Sequence, residues 1–122
     1  MYMKTENYQI METWDKGKEL TNEIYIITKD GPFSNDFELK DNIRKSGISL
    51  ISNIAEGLAR SHENNFIKTL VLIKDIATDI RSQLYLAVKL NYMTFEEYER
   101  IDIVTTELCK LIFSMIKSYE NI

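Results

Sequence analysis

The chain has 122 residues, 15 Lys and Arg against 19 Asp and Glu for a net charge of −4, and 44% hydrophobic residues. That length and apolar share fit one domain around a single core, while one Cys excludes an intramolecular disulfide. No stretch has the apolar length that spans a bilayer and no basic, apolar, small-residue leader opens the sequence, so the expected location is cytoplasmic, with no membrane partner.

One Pro and four Gly are too few turn signals for a sheet protein of this size, so helices are expected throughout. Met11, Trp14, Leu20, Ile24 and Ile27 recur at helical spacing with Gly17 as a small position among them, which predicts a helix over about 8–29. Trp14 falls on that stripe, so its indole is expected to pack in the core with its N–H bonded at the core edge, rather than to serve as a ligand platform. Asp30-Gly31-Pro32 ends the helix, because Gly accepts a left-handed cap and Pro cannot continue the ladder. Ser34 or Asp36 then caps a second helix over about 37–59, with Phe33 and Phe37 sealing the bundle end.

The second helix contains the most informative stretch, Ile48 to Arg60. Ser49, Asn53, Glu56 and Arg60 share one side of it, beside an apolar side of Ile43, Gly47, Leu50, Ile54 and Leu58. Asn and Gly each cost roughly 0.5–1 kcal/mol in a helix interior, so their presence asks for a buried hydrogen bond or a close helix approach. Gly47 is expected to admit a neighbouring helix, and Gly57 helps to mark the helix end. Asn53 is expected to be buried and bonded to a neighbouring helix. Glu56 and Arg60, four apart with the acid first, are expected to pair, leaving Arg60 donors for another chain or an anionic partner.

Ser61 is expected to cap a third helix over about 62–90, with Glu63 in its first turn. Its stripe runs Phe66, Leu70, Ile73, Ile76 or Ala77, Ile80, Leu84 and Ala87 or Val88. Ile67, Val71, Leu72, Tyr85 and Leu86 widen it beyond the needs of one core, which makes this helix the expected subunit contact. Thr94 with Glu97 reads as a capping box, and Met93 with Tyr98 as a hydrophobic staple. The fourth helix, about 95–119, continues through Ile101, Val104 or Thr105, Leu108, Leu111 or Ile112, Met115 and Tyr119. Four helices joined by short turns make an all-α, antiparallel up-and-down four-helix bundle, one domain over 1–122.

Little in the sequence speaks for catalysis. His62 stands alone, without a Glu-x-x-His or second His for a metal, and Cys109 has no second Cys or nearby His. No Gly-rich phosphate loop exists, and no small-molecule substrate or cofactor is expected. Charge is uneven: residues 1–39 carry four basic against eight acidic groups, 40–92 eight against five, and 93–122 three against six. Arg44, Lys45, Arg60, Lys68, Lys74 and Arg81 in the basic middle are therefore the candidate nucleic-acid contacts.

The chain resembles the small four-helix-bundle proteins encoded within intervening sequences of 23S ribosomal RNA genes, a family also labelled ribosomal. The resemblance rests on Ile43-Arg44-Lys45, Ser49, Ser52-Asn53-Ile54-Ala55-Glu56-Gly57, Arg60 and Phe66. Gln83-Leu84-Tyr85-Leu86-Ala87 and Leu90-Asn91-Tyr92 extend it, with Trp14, Tyr25 and Leu39 as anchors of the opening half. Ile51 replaces a frequent Pro, Gly31-Pro32-Phe33 a Phe-Pro order, and Asp75-Ile76 a Gly-Ser pair. The resemblance implies a cyclic homo-oligomer, a pentamer, in which Trp14, Ser49, Asn53, Glu56, Gly57 and Arg60 serve structure or interface. A related branch assists the reverse transcriptases of diversity-generating elements and is strongly basic, a character that this acidic chain lacks. Two functions are carried forward: a non-enzymatic, self-associating interaction or scaffold module, and an RNA or DNA binding module.

Overall fold

The computed structural model describes residues 2–61 and 65–120, the side chains of residues 2–7 and of residue 58 excepted. Among the described residues lie five helices and no strand: α1 Tyr2–Ile27, α2 Gly31–Asn35, α3 Phe37–Leu58, α4 Phe66–Lys89 and α5 Phe95–Glu120. The fold is all-α, and the expected count of four helices is corrected by α2. Gly31 takes a left-handed φ of 71° and Pro32 stands in the first turn of α2, where its missing N–H is no loss. The connection thereby re-enters helix at once. Phe33 is driven into the core, 5.6 Å from the Tyr92 ring, whereas Phe37, expected to share that role, starts α3 on its exposed side.

The four long helices form a ring in which α1 lies beside α3 and α5, and α4 beside α3 and α5. Neighbours run antiparallel. Along α1 and α5, Gln9 Nε2 donates to Ser114 Oγ (3.2 Å), Lys16 meets Glu107 (2.9 Å) and Glu23 meets Arg100 (2.7 Å). Each rung is one heptad from the next on both helices, the repeat that keeps a seam facing its partner in left-handed coiled packing.

The core follows the expected stripes on three helices. Ile43, Gly47, Leu50 and Ile54 of α3 are buried, as are Phe66, Leu70, Ile73, Ala77, Ile80, Leu84 and Ala87 of α4 and Ile101, Val104, Thr105, Leu108, Ile112 and Met115 of α5. On α1 the stripe is rotated. Its buried line is Thr13, Gly17, Leu20, Thr21, Ile24 and Thr28, while Met11 is 66% exposed and Trp14 36%. The three threonines bury their polarity by donating Oγ1 to carbonyls one turn back: Thr13 to Gln9 (2.7 Å), Thr21 to Gly17 (2.9 Å) and Thr28 to Ile24 (2.7 Å). Each then presents a methyl group to the core as a small β-branched hydrophobe.

Asp36 caps α3 by accepting the Leu39 N–H at 3.1 Å, and its other oxygen accepts the Tyr92 hydroxyl at 2.8 Å. The Thr94 capping box forms in both directions: Glu97 N–H donates to Thr94 Oγ1 (3.0 Å) and Thr94 N–H to Glu97 Oε1 (2.8 Å). Ser61 is not the cap of α4. That helix begins at Phe66 after Asn65, which makes no side-chain capping bond, and the expectations for His62 and Glu63 lie outside the described residues.

Two stability predictions follow the local geometry. A Cβ on Gly47 would stand 3.1 Å from Thr21 Cγ2 and 3.3 Å from its Oγ1, a side chain fixed by hydrogen bonds to the Gly17 and Gly47 carbonyls. Gly47→Ala should therefore lower stability by about 1 kcal/mol in urea denaturation, overpacking outweighing the helix-propensity gain. Thr21→Ser, which removes the obstructing methyl, should shrink that loss; a Gly47→Ala protein more stable than the parent would reject the close approach. For Asp36, the Leu39 amide first and the Tyr92 hydroxyl second hold the carboxyl below its ordinary range. A folded pKa below the unfolded one gives stability that is present at neutral pH and lost as pH falls through the folded value. Asp36→Asn should therefore unfold at lower urea than the parent at pH 7, with the gap closing in acid; a gap independent of pH would refute the linkage.

Candidate functional site

The residues expected to act together in Ile48–Arg60 do not converge on another helix. Asn53 is half-buried, and its Nδ2 donates to Ser49 O (2.8 Å) and Ser49 Oγ (3.2 Å), both on its own helix. The expected bond to a neighbouring helix is therefore corrected, the Ser49 hydroxyl one turn back satisfying the amide locally. Gly57 is buried against Thr69 of α4, a contact within the subunit. Glu56 and Arg60 are exposed and form no ion pair among the described residues. The reason is the helix end: α3 stops at Leu58, and Arg60 lies in the following turn with its N–H on Gly57 O (3.0 Å), so the helical four-residue spacing no longer applies.

The candidate nucleic-acid cations are divided among different faces. Arg44 donates from Nε to Thr28 Oγ1 (2.8 Å) and from Nη2 to Tyr25 O (3.3 Å), with its guanidinium 4.4 Å from the Tyr25 ring centre. It closes the C-terminal end of α1, where a cation meets unpaired carbonyls. Arg81 donates from Nε to Asp102 Oδ1 (2.6 Å) and from Nη2 to Thr106 Oγ1 (3.0 Å), tying α4 to α5. Burial opposes its charge, but the Asp102 contacts prevail and raise its pKa. Lys45, Arg60 and Lys68 are exposed and Lys74 is half-buried, on α3, the turn after it, and α4.

The surface holds features that the sequence pattern concealed. Trp14, Met11, Ile10, Asp15 and Ala55 line an open, mostly apolar hollow of about 320 Å³ between α1 and α3. The indole N–H has no acceptor among the described residues, contrary to the expectation for a core Trp. Between α3 and α4 lie two adjoining hollows of about 630 and 420 Å³ that share Asn42 and Lys45. Beneath them Gln83, buried on α4, accepts from Asn42 Nδ2 (3.2 Å) and donates to Ser46 Oγ (3.1 Å) and Asp79 Oδ2 (2.8 Å). A polar amide at the start of the apolar run Leu84-Tyr85-Leu86-Ala87, three residues after Ile80 on the buried stripe, was the available signal for this network. Cys109 is half-buried beside the core, and burial raises its pKa against the opposing pull of Arg81 and Lys74, disfavouring the thiolate. Among the described residues no three His, Cys, Asp or Glu gather as a metal site, and no helix is long and apolar enough to cross a membrane.

A crystal structure from Bacteroides thetaiotaomicron VPI-5482, of a protein with unknown function from the S23 ribosomal protein family, is similar to this fold. The TM-score is 0.74 at 26% sequence identity, with 96% of this chain and 99% of that chain covered. Comparison with curated proteins gives no match. Residues 9–114 match the model of one family from the first turns of α1 to the last turns of α5, and on that match the chain belongs to the 23S rRNA-intervening sequence protein family.

Proposed function

We propose that the chain is a non-enzymatic binding module that acts in association with 23S ribosomal RNA and does so as a self-associated assembly. The family match supports the RNA association, and one structural observation carries the self-association: large apolar side chains stay exposed on two opposite faces. On the α1–α3 side these are Met11, Trp14, Tyr25 and Ile48; on the α4–α5 side they are Val71, Tyr85, Phe95 and Phe113. A cyclic assembly such as a pentamer needs two different complementary surfaces on each subunit, and these faces supply them. Burial raises the pKa of Cys109 and disfavours a thiolate nucleophile at that position. Cytoplasmic action agrees with this reading.

The second reading, direct RNA or DNA contact, draws on Lys45, Arg60, Lys68 and Lys74, which among the described residues remain outside the ion pairs that occupy Lys16, Arg81 and Arg100. Arg44 and Arg81, joined to Thr28 and Asp102, are positioned as structural cations. Light scattering of the parent at micromolar concentration should give a multiple of the single-chain mass. Met11→Glu/Trp14→Glu should reduce it to one chain with helix content retained in circular dichroism, and a parent of single-chain mass overturns the assembly. Titration with a 23S ribosomal RNA fragment at several salt concentrations separates the two readings. Direct contact gives a steep salt slope that flattens in Lys45→Gln/Lys68→Gln, whereas negligible affinity at low salt leaves association through a partner.

A further inference from the structure

We propose that the groove between α3 and α4 is a docking site for a basic amphipathic helix of another protein. The groove is formed by the two adjoining hollows of about 630 and 420 Å³. From Asp75 to Leu90 it follows α4 for about 22 Å at 1.5 Å per residue, room for a helix of about 15 residues. Its chemistry is one-sided. Asp36, Glu38 and Asp41 line it from the α3 side and Asp75 and Asp79 from α4, against Lys45 as the single lining cation. None of these charges takes part in an ion pair among the described residues.

The apolar part lies on the α4 wall, across from the α3-side acids at the wider end. Leu86 and Leu90, one turn apart on α4, are 46% and 44% exposed at the wider end, and Ile76 lines the narrower one. The floor is fixed by Gln83, whose bonds to Asn42, Ser46 and Asp79 hold the two walls and orient the Asp79 carboxylate. A straight furrow between two antiparallel helices receives a third helix as ridges enter grooves. Leucines on the α4 wall facing carboxylates on the α3 wall, with two more carboxylates further along α4, select apolar residues three and four apart, flanked by Lys or Arg.

Charge also decides among occupants. A phosphate backbone would meet five carboxylates, so this groove repels RNA. A second copy of the chain carries a net charge of −4, and although its middle, 40–92, has eight bases against five acids, the flanking segments, with acids over bases eight to four and six to three, would add like charge. A basic partner removes both conflicts. The inference goes beyond the proposed function by giving the chemistry of a protein partner, and it does not require the ring.

The test uses the full chain and a fluorescein-labelled 15-residue peptide of Lys, Ala and Leu, with Leu at helical positions 1, 4, 8 and 11, read by anisotropy. Binding in the micromolar range is expected, weakening with salt. Leu86→Ser/Leu90→Ser and, separately, Glu38→Gln/Asp41→Asn/Asp75→Asn should each weaken it about tenfold or more, with the mass by light scattering unchanged. Four results overturn the proposal: no binding, equal binding of a peptide with Ser in place of Leu, equal binding of a peptide with Glu in place of Lys, or a lower mass for Leu86→Ser/Leu90→Ser. The last would make the groove a contact between copies. A parent of single-chain mass that still binds the peptide leaves the groove standing while the assembly is lost, so the two ideas fail separately.

Discussion

The contact on which the bundle is built is the hydroxyl of Thr21. It donates within α1 to Gly17 O at 2.9 Å and approaches Gly47 O of α3 at 3.1 Å, a bond between helices where the absence of a Cβ lets the backbones close. The hydroxyl is already satisfied within α1 by Gly17 O, as those of Thr13 and Thr28 are by carbonyls one turn back, so the constraint comes from the close approach: a Cβ at Gly47 would stand 3.1 Å from Thr21 Cγ2. The register of α1 on α3 is thereby pinned, and the shared packing of Leu20, Ile24, Ile43 and Leu50 follows from it.

That dependence also explains which parts of the molecule could be read from its sequence. The buried lines of α4 and α5 are almost entirely hydrocarbon, so period alone places them, and the Thr94 box announces the start of α5. On α1 half of the buried line is threonine, polar by type and apolar in effect once its hydroxyl turns back. Met11 and Trp14 therefore drew the N-terminal part of the expected stripe off the buried line, while Gly17, Leu20 and Ile24 lie on it. Gly17 and Gly47 were legible as small positions because a glycine inside a helix needs a neighbour. The short α2 was hidden because Gly-Pro ends helices more often than it opens them.

The expected functional residues fared less well for a related reason. A sequence gives spacing, but Glu56 and Arg60 are separated by a helix end, and Asn53 had a nearer partner in Ser49 than any on a neighbouring helix. The cations Arg44 and Arg81 were legible as charges and not as struts, since Thr28, Tyr25, Asp102 and Thr106 lie far from them in the chain. What the fold leaves without a counterpart is a different set: apolar side chains on outer faces, and carboxylates along one furrow that have no cation paired to them among the described residues.

The heptad rungs between α1 and α5 carry a consequence for the order of events in folding. Gln9 and Ser114 are 105 residues apart, and Glu23 and Arg100 are 77 apart, whereas α3 with α4 and α4 with α5 are neighbours along the chain. Closing the longer loop costs more entropy, and its reward includes exposed polar bonds that water and salt weaken. Loop-closure entropy alone thus has hairpins of adjacent helices forming before the outer helices meet, and the seam between α1 and α5 works as a clasp that closes the ring.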